Sequence, residues 1–309
     1  MKKIRKISNP IYKELKKLNL IHDSRLVNLN NKTRDKNIKV IKDLKTKIIF
    51  LEKYITSTKY YSSLKYKDND RKTSDTTKRK IANVKTLFGN IKIPIIGDDF
   101  RRASQFEKNI KNKNILDFGC GWGGFLRNIK NYKSLSGVEL RQECLNYVKN
   151  NFKKLNISDN VNSFKHKFDI ITMFHVLEHI PYQIETLKVL KSKLKKNGKI
   201  IIEVPHAEDF LILQDELKEF KNFTFWSEHL ILHTYKSLKT VLSKSGFKNI
   251  KIQYYQRYNF SNHLGWFLKR KPGGHVFNKN IVGDKFNYEY SENLKKFRKT
   301  DTLIALASL

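Results

Sequence analysis

Residues 115–126 read Ile-Leu-Asp-Phe-Gly-Cys-Gly-Trp-Gly-Gly-Phe-Leu, and this stretch decides the fold. The apolar pair at its start predicts the end of a buried β-strand, which Asp117 closes. The glycines that follow predict a tight turn whose backbone comes close to a ligand. Apolar residues at helical spacing come next, at Phe125, Leu126 and Ile129. A strand, a glycine-rich turn and a helix in this order predict the first part of a nucleotide-binding α/β sheet.

The acidic residue before the turn indicates which class of cofactor it binds. Gly119, Gly121 and Gly124 formally match the dinucleotide fingerprint, which is a weak pattern by itself. However, Asp117 lies two residues before the first glycine, where its carboxylate would repel a diphosphate docked on the helix N-terminus. The same carboxylate favours a ligand with an ammonium group and no phosphate, such as S-adenosylmethionine (SAM). Glu139 ends the next apolar stretch, 22 residues after Asp117, where an acid can bind both ribose hydroxyls.

At these residues the sequence resembles the class I SAM-dependent methyltransferases. Residues 168–181 (Phe-Asp-Ile-Ile-Thr-Met-Phe-His-Val-Leu-Glu-His-Ile-Pro) are similar to their fourth strand and the loop after it, and residues 194–205 to their passage from helix to fifth strand. Residues 225–230 (Phe-Trp-Ser-Glu-His-Leu), followed by 238–246, are similar to the branch that modifies small molecules, sugars and quinone-type lipids. The resemblance covers about residues 110–255, and three motifs in the right order are far more specific than any one alone.

The resemblance implies a Rossmann-like seven-stranded α/β sheet with helices on both faces. Six strands are parallel, and the last strand pairs antiparallel with the edge of the sheet. We expect the methyltransferase domain over residues 81–309, with a substrate-side insertion or lid at 256–300. Residues 1–80 form a basic N-terminal extension, in which 38–51 predict a β-hairpin that caps the domain.

Local patterns place the individual elements of this sheet. The third strand is expected near residues 160–164, and a helix near 77–88 with Ser74 or Asp75 as its N-cap. The other strands are predicted near residues 114–118, 134–139, 168–174, 199–204, 249–255 and 302–309.

The composition limits the compartment. Cys120 and Cys144 are the only cysteines, so a disulfide framework and a cysteine-based metal site are both disfavoured. No apolar segment follows the basic N-terminus, and no stretch approaches the ~18 apolar residues of a membrane span. We therefore expect a cytoplasmic protein without a membrane span.

The net charge of +34 has two interpretations. Residues 1–80 hold 24 basic and 8 acidic side chains, and such a field attracts nucleic acid, a polyanionic glycan or an anionic membrane surface. However, the chain has 51 Lys against 12 Arg, whereas sites that read nucleic-acid sequence favour Arg for its bidentate fork. A general compositional bias that produces a solvated basic surface is the favoured reading, and a nucleic-acid acceptor remains the alternative.

Methyl transfer from a sulfonium is an in-line displacement in which the protein aligns the acceptor and excludes water. The reaction requires no metal, and we predict none. An oxygen acceptor usually needs a base, whereas an amine needs none, and histidine is the best base near neutral pH. His229 lies in the aromatic motif, and His175 and Glu178 follow the fourth strand. These three residues are the catalytic candidates.

The turn and the resemblance together assign the cofactor site to Asp117, Gly119, Cys120, Gly121, Trp122, Gly123, Glu139, Leu140, Asn162, Ser163, Phe174 and His175. Asp117 would hold the ammonium group of SAM, and Glu139 the ribose hydroxyls. Asn162 or Ser163 would replace the acid that contacts adenine in the family. The acceptor-side candidates, on the loop after strand five and in the insertion, are His206, Tyr258, Asn262, His263 and His275.

These observations predict a SAM-dependent methyltransferase that acts on an oxygen or nitrogen of a small molecule, a sugar or a glycan precursor. An RNA methyltransferase that docks its substrate on the basic N-terminal region is the alternative enzyme. A SAM-binding scaffold without activity is the non-enzymatic alternative. The oligomeric state is not predicted.

Overall fold

The computed structural model describes residues 7–56, 60, 80–86, 89–95, 97–274 and 283–309. The strands are β1 (Leu26–Asn30), β2 (Val40–Asp43), β3 (Ile49–Leu51), β4 (Lys80–Thr86), β5 (Gly89–Ile95), β6 (Asn114–Phe118), β7 (Ser134–Val138), β8 (Leu155–Ser158), β9 (Phe168–Phe174), β10 (Leu194–Pro205), β11 (Ile231–Leu232), β12 (Lys248–Tyr255) and β13 (Thr302–Ser308). The helices are α1 (Pro10–Lys17), α2 (Gly97–Gln105), α3 (Glu107–Ile110), α4 (Gly124–Asn128), α5 (Gln142–Asn151), α6 (Gln183–Ser192), α7 (Lys218–Thr224), α8 (Tyr235–Lys244), α9 (Phe260–Lys269) and α10 (Asp284–Lys296).

The main sheet has seven strands in the order β12-β13-β10-β9-β6-β7-β8. β6 pairs in parallel with β7 and β9, and β7 pairs in parallel with β8. The predicted Rossmann-like sheet with an antiparallel last strand is confirmed, because β13 runs antiparallel to both of its neighbours, β10 and β12. Its expected place at the sheet edge is wrong: β12 forms the edge. Leu303, Ile304 and Ala305 are consecutive and all buried, which suits a strand inside a sheet.

The third parallel strand begins earlier in the chain than predicted. β8 covers Leu155–Ser158, whereas the predicted segment 160–164 contains a short 3-10 helix at Val161–Ser163. The side chain of Asn160 accepts a hydrogen bond from the amide of Asn162 and caps this turn. The capping chemistry of Asn therefore outweighs the apolar residues that suggested a strand.

The helix expected near residues 77–88 is also wrong. Residues Lys80–Thr86 form β4, which pairs antiparallel with β5 from Lys80 opposite Ile95 to Thr86 opposite Gly89. Ile81, Val84 and Thr86 are β-branched, and such residues favour strands. The proposed caps, Ser74 and Asp75, lie outside the described residues.

By its internal contacts the chain divides into two compact units. The first unit comprises Met1–Ser57, Met173–Ser192 and Lys199–Leu309, and the second comprises Thr58–Thr172 and Lys193–Gly198.

The first unit contains a second sheet, with strand order β1-β2-β3-β11. Within segment 38–51, β2 and β3 pair antiparallel around a turn in which Asp43 Oδ1 accepts the amide hydrogens of Lys45 and Thr46. β11 comes from much later in the chain and pairs with β3, so that Ile231 lies opposite Phe50. This sheet therefore ties residues 26–51 to the chain around residue 231.

One hydrophobic core joins these parts of the first unit. Ile11 and Leu15 of α1 are buried with Phe50, Phe225 and Trp266. Asn9 caps α1 and also donates through Nδ2 to two backbone carbonyls, at 2.9 and 3.1 Å. The N-terminal segment from residue 7 onward is thus a packed part of the first unit. Among the helices of the described residues, none is long and apolar enough to cross a lipid bilayer.

Candidate functional site

The glycine turn after β6 lies in the second unit and has the backbone that the sequence demands. Gly119, Gly121 and Gly123 have φ values of 82°, 53° and 72°, in the left-handed region that suits glycine. The amides of Gly119 and Cys120 donate to the carbonyl of Val138, at 2.8 and 3.0 Å. These bonds fix the turn against the end of β7.

Asp117 closes β6 and is only 3% exposed. Its Oδ1 accepts a hydrogen bond of 2.7 Å from the Thr172 hydroxyl on the neighbouring β9. Burial raises the pKa of Asp117 to about 7; the Thr172 bond opposes this rise, and the negative charge of Asp99 adds to it. A buried acid that is half ionised near neutral pH becomes fully ionised when a cation binds beside it.

Glu139 lies just beyond β7 and connects the second strand to the glycine turn. Its Oε2 accepts the amide hydrogen of Gly121 at 2.8 Å. Its Oε1 accepts from Arg141, through the backbone amide at 2.9 Å and the side-chain Nε at 3.3 Å. The Glu139 carboxylate is therefore held beside the glycine turn, where the sequence analysis expects an acid that binds the ribose hydroxyls.

Two charged residues of α2 were missed by the sequence analysis. A Cβ built on Gly124 would lie 1.9 Å from Oδ2 of Asp99, so the Asp99 carboxylate lies directly against the start of α4. Burial raises its pKa to about 6, and Arg102, 3.6 Å away, opposes that rise. The chain around Asp99 carries charges of both signs close together, but no fixed spacing links it to the turn.

The remaining predicted cofactor residues of the second unit differ in accessibility. Cys120 is buried, and burial raises the pKa of its thiol, which suits a small filler of the turn. Trp122 packs edge-on against Tyr147, with ring centroids 5.1 Å apart. Leu140 is half-buried, and the side chains of Asn162 and Ser163 are exposed on the 3-10 turn.

In the first unit, β9 ends at the buried Phe174, and His175 follows with a strained backbone. Its φ is 54°, which is uncommon for a residue with a side chain and is frequent at functional sites. The ring Nδ1 lies 3.1 Å from Glu178 Oε1. The ring Nε2 lies 3.0 Å from Arg257 Nη1 and 3.3 Å from Glu203 Oε1. Carboxylates on two sides raise the pKa of His175 despite its burial.

Glu178 links His175 to the third catalytic candidate. Its side chain is fully buried, and the nearby histidines lower its pKa to about 2 against the opposing effect of burial. His179 Nε2 lies 4.0 Å from Glu178 Oε1, and the rings of His179 and His229 meet edge to face at 4.9 Å. The Leu230 amide donates to the Glu178 carbonyl at 2.8 Å, which brings the two segments together. Burial lowers the pKa of His229 to about 3.

The acceptor-side candidates do not form one cluster. His206 is buried with Nδ1 against the Thr300 carbonyl at 2.8 Å, and burial lowers its pKa to about 4. His263 lies in α9, with Nδ1 2.7 Å from the Tyr290 hydroxyl. Asn262 beside it is buried, Tyr258 is 45% exposed, and His275 lies outside the described residues.

Arg257 lies in the predicted insertion and is not among the predicted site residues, yet it joins two parts of the first unit. Its guanidinium reaches His175, and its amide donates to Asp301 Oδ1 and Oδ2, both at 3.1 Å. Asp301 also accepts from Gln256 Nε2 at 2.9 Å. This network fixes the start of the insertion at the end of β12. No sequence pattern pairs Arg257 with a histidine 82 positions earlier.

Comparison with known proteins adds an independent line. A family model described as a methyltransferase domain matches residues 95–252, which is half of the chain. A tRNA U34 carboxymethyltransferase of Nautilia profundicola is 29% identical over 156 residues, covering 46% of this chain and 50% of the relative. A ubiquinone biosynthesis O-methyltransferase of Coxiella burnetii is 31% identical over 101 residues, covering 29% of this chain and 43% of the relative.

Among solved structures, a SAM-dependent methyltransferase from Archaeoglobus fulgidus is 21% identical with a TM-score of 0.46, covering 69% of this chain and 93% of that one. The chain spans about half the length of the curated relatives it matches.

Proposed function

The chain belongs to the methyltransferase-domain family, and from this premise we propose that it transfers a methyl group from SAM to an oxygen or nitrogen of a small hydroxylated molecule, such as a sugar or glycan precursor. Two carboxylates at the glycine turn, those of the buried Asp117 and the partly buried Asp99, are the observation that carries the cofactor part of this proposal. Removal from water raises the pKa of both. SAM brings an ammonium and a sulfonium, which compensate such acids, whereas a diphosphate would be repelled.

Each part of the turn has a role in this proposal. Asp117 binds the ammonium group, directly or through water, and the backbone of Gly119 to Gly123 lies along the methionine portion. Glu139 binds the ribose hydroxyls. It keeps one oxygen on the Gly121 amide, so ribose binding requires it to exchange or share its bond to Arg141.

On the acceptor side, we assign the base to His175 in preference to His229. Glu178 accepts a hydrogen bond from the Nδ1 of His175, and a buried carboxylate in this position fixes the tautomer and orientation of the ring, as in a catalytic triad. In the neutral form of His175, Nε2 carries the lone pair that takes a proton from an acceptor hydroxyl once Arg257 yields its contact, and Glu203 beside Nε2 stabilises the imidazolium that results. The His175 side chain is 22% exposed, so a ligand can reach it.

RNA is the second candidate acceptor. The curated relative of Nautilia profundicola is named as an enzyme of tRNA position U34, and the net charge of +34 would favour a polyanion. Only about half of that relative is matched.

The experiment incubates the purified chain with methyl-labelled SAM and either a small-molecule fraction of cell extract or total tRNA. We expect label in the small-molecule fraction. The Asp117→Asn variant should lose both SAM binding and labelling, whereas Glu107→Gln, a change from acid to amide at an exposed residue of the same unit, should keep both. Label that appears only in tRNA and is released by ribonuclease would favour the second candidate. SAM binding without label in either pool would favour a scaffold, and no SAM binding would overturn the proposal.

A further inference from the structure

Three potential metal ligands converge in the first unit next to His175. Glu178, His179 and His229 each offer one ligand atom, and these atoms all lie within 4.8 Å of one another. Glu178 is fully buried, and His179 is only 21% exposed. The cluster is formed by two segments 50 residues apart, which the hydrogen bond from the Leu230 amide to the Glu178 carbonyl holds together.

One carboxylate oxygen of this cluster is buried without a hydrogen-bond partner. Oε1 of Glu178 bonds to His175, but its Oε2 is buried without a hydrogen-bond partner. A buried carboxylate oxygen without a partner is costly, and such an atom in a native fold calls for a ligand.

We propose that Glu178, His179 and His229 form a binding site for one divalent first-row transition ion, with Zn²⁺ as the reference ion. Two imidazole nitrogens and one carboxylate oxygen suit Zn²⁺, Fe²⁺ or Co²⁺, whereas Mg²⁺ prefers oxygen ligands alone. Two histidines and one glutamate are also a known ligand set of open zinc sites, in which water or substrate completes the coordination.

The site contracts when the ion binds. Bonds of about 2.0–2.2 Å place neighbouring ligands of a tetrahedral ion about 3.4 Å apart, which is closer than the 4.8 Å span of these atoms. Rotation of the two partly exposed histidine rings supplies this change. Three protein ligands leave a coordination position open, and an acceptor oxygen is the ligand that the proposed methyl transfer would place there. Only this last step rests on the proposed function.

No metal was predicted from the sequence, because methyl transfer does not require one. The adjacent Glu178 and His179 are common residues in sequence, and His229 reaches them only through the fold.

The test uses the full chain, freed of metal by chelation and titrated with Co²⁺ in the absence of SAM and acceptor. We expect one equivalent to bind, with the stronger visible d–d absorption that four-coordinate geometry gives Co²⁺, and Zn²⁺ to displace it. Glu178→Gln and His229→Gln should each lower Co²⁺ affinity at least tenfold. His166→Gln, which changes an exposed histidine of the second unit, should leave it unchanged.

X-ray absorption spectroscopy of the Zn²⁺-loaded wild type identifies the metal ligands without the need for a variant. Two imidazoles and one carboxylate are expected. Three results would each overturn the proposal: absence of saturable Co²⁺ binding, a Co²⁺ affinity in both variants equal to that of the wild type, or a zinc site that contains thiolate. Because no SAM is present, such a failure leaves the proposed methyl transfer standing, and failure of methyl transfer leaves the metal site standing.

Discussion

Removal of the hydroxyl of Thr172 tests how the buried acid at the glycine turn recognises its ligand. Thr172→Val keeps the shape of the side chain but deletes the 2.7 Å hydrogen bond to Asp117. Both residues are buried, with 0% and 3% exposure, so water does not readily replace the bond. A hydrogen bond to a charged group is worth about 1.5–3 kcal/mol, and 1.36 kcal/mol corresponds to one pH unit in a pKa. The variant should therefore raise the pKa of Asp117 by about one to two pH units.

The consequence for binding follows from the sign of this change. The wild-type pKa of about 7 leaves roughly half of the Asp117 carboxyls ionised at pH 7, about a tenth at pH 6 and about nine tenths at pH 8. If only the ionised form binds the ammonium group, the affinity for S-adenosylhomocysteine, the demethylated product of SAM, should rise about tenfold from pH 6 to pH 8. In Thr172→Val the affinity at pH 7 should be at least about fivefold lower, and the rise should move to higher pH.

Isothermal titration calorimetry with S-adenosylhomocysteine between pH 6 and pH 8 measures both effects. Titrations in two buffers of different ionisation enthalpy count the proton that Asp117 releases on binding at pH 6. Thr300→Val is the matched control, because it removes a buried hydroxyl that bonds to a backbone carbonyl of the first unit. Affinity that does not change with pH, or an identical pH profile in wild type and Thr172→Val, would refute the role given to Asp117.

Three further predictions concern stability. The folded state holds a proton on Asp117 up to about pH 7, whereas an unfolded Asp loses it near its ordinary pKa of about 4. The unliganded chain should therefore lose stability as the pH rises from about 4 to about 7. Thermal scans should show that Asp117→Asn raises the melting temperature at pH 8 and flattens this pH dependence. Gly137→Ala places a Cβ 2.6 Å from Cys120 Sγ, and this clash should lower the free energy of unfolding by about 1–3 kcal/mol. In urea titrations the double variant with Cys120→Ala should regain most of that stability. A double variant as unstable as Gly137→Ala alone would contradict a clash with Cys120. Asn9→Ala removes the cap of α1 and two buried hydrogen bonds, so the same titration should show a free energy of unfolding lower by about 2–4 kcal/mol. A decrease below about 1 kcal/mol would show that the N-terminal segment is not part of the cooperative core.

Much of the main sheet could be read from the sequence because its signals are local. β6 and β9 were predicted with their observed ends, since each is an apolar run bounded by polar or glycine residues. The third strand was misplaced because a cap by Asn160 is as local as the apolar pattern that competed with it. The position of β13 inside the sheet was not predictable from its own residues, because it depends on where β12 lies.

The site residues also divide into those that could be predicted from the sequence and those that could not. The glycine turn, Asp117 and Glu139 could be proposed because they follow one another along a single strand–turn–strand passage. Asp99 could not, because the only sign of its role is that Gly124 leaves room for it. The partners of His175 were likewise hidden: Glu203 and Arg257 reach the ring from 28 and 82 positions away.

Buried carboxylates connect the two proposals. Asp117 in the second unit and Glu178 in the first are both buried, and burial of an acid costs free energy for each oxygen that lacks a partner. Asp117 responds by holding its proton, whereas Glu178 stays ionised against histidines and leaves one oxygen without a partner. A cation at each position would remove that cost: the ammonium group of SAM at Asp117, and a metal ion at Glu178. Asp117→Asn should therefore stabilise the unliganded chain at neutral pH, whereas Glu178→Gln should destabilise it, because a lowered pKa means that the ionised form of Glu178 stabilises the folded state. Each variant should lose the binding of its own cation, and a variant that still binds that cation would break this link.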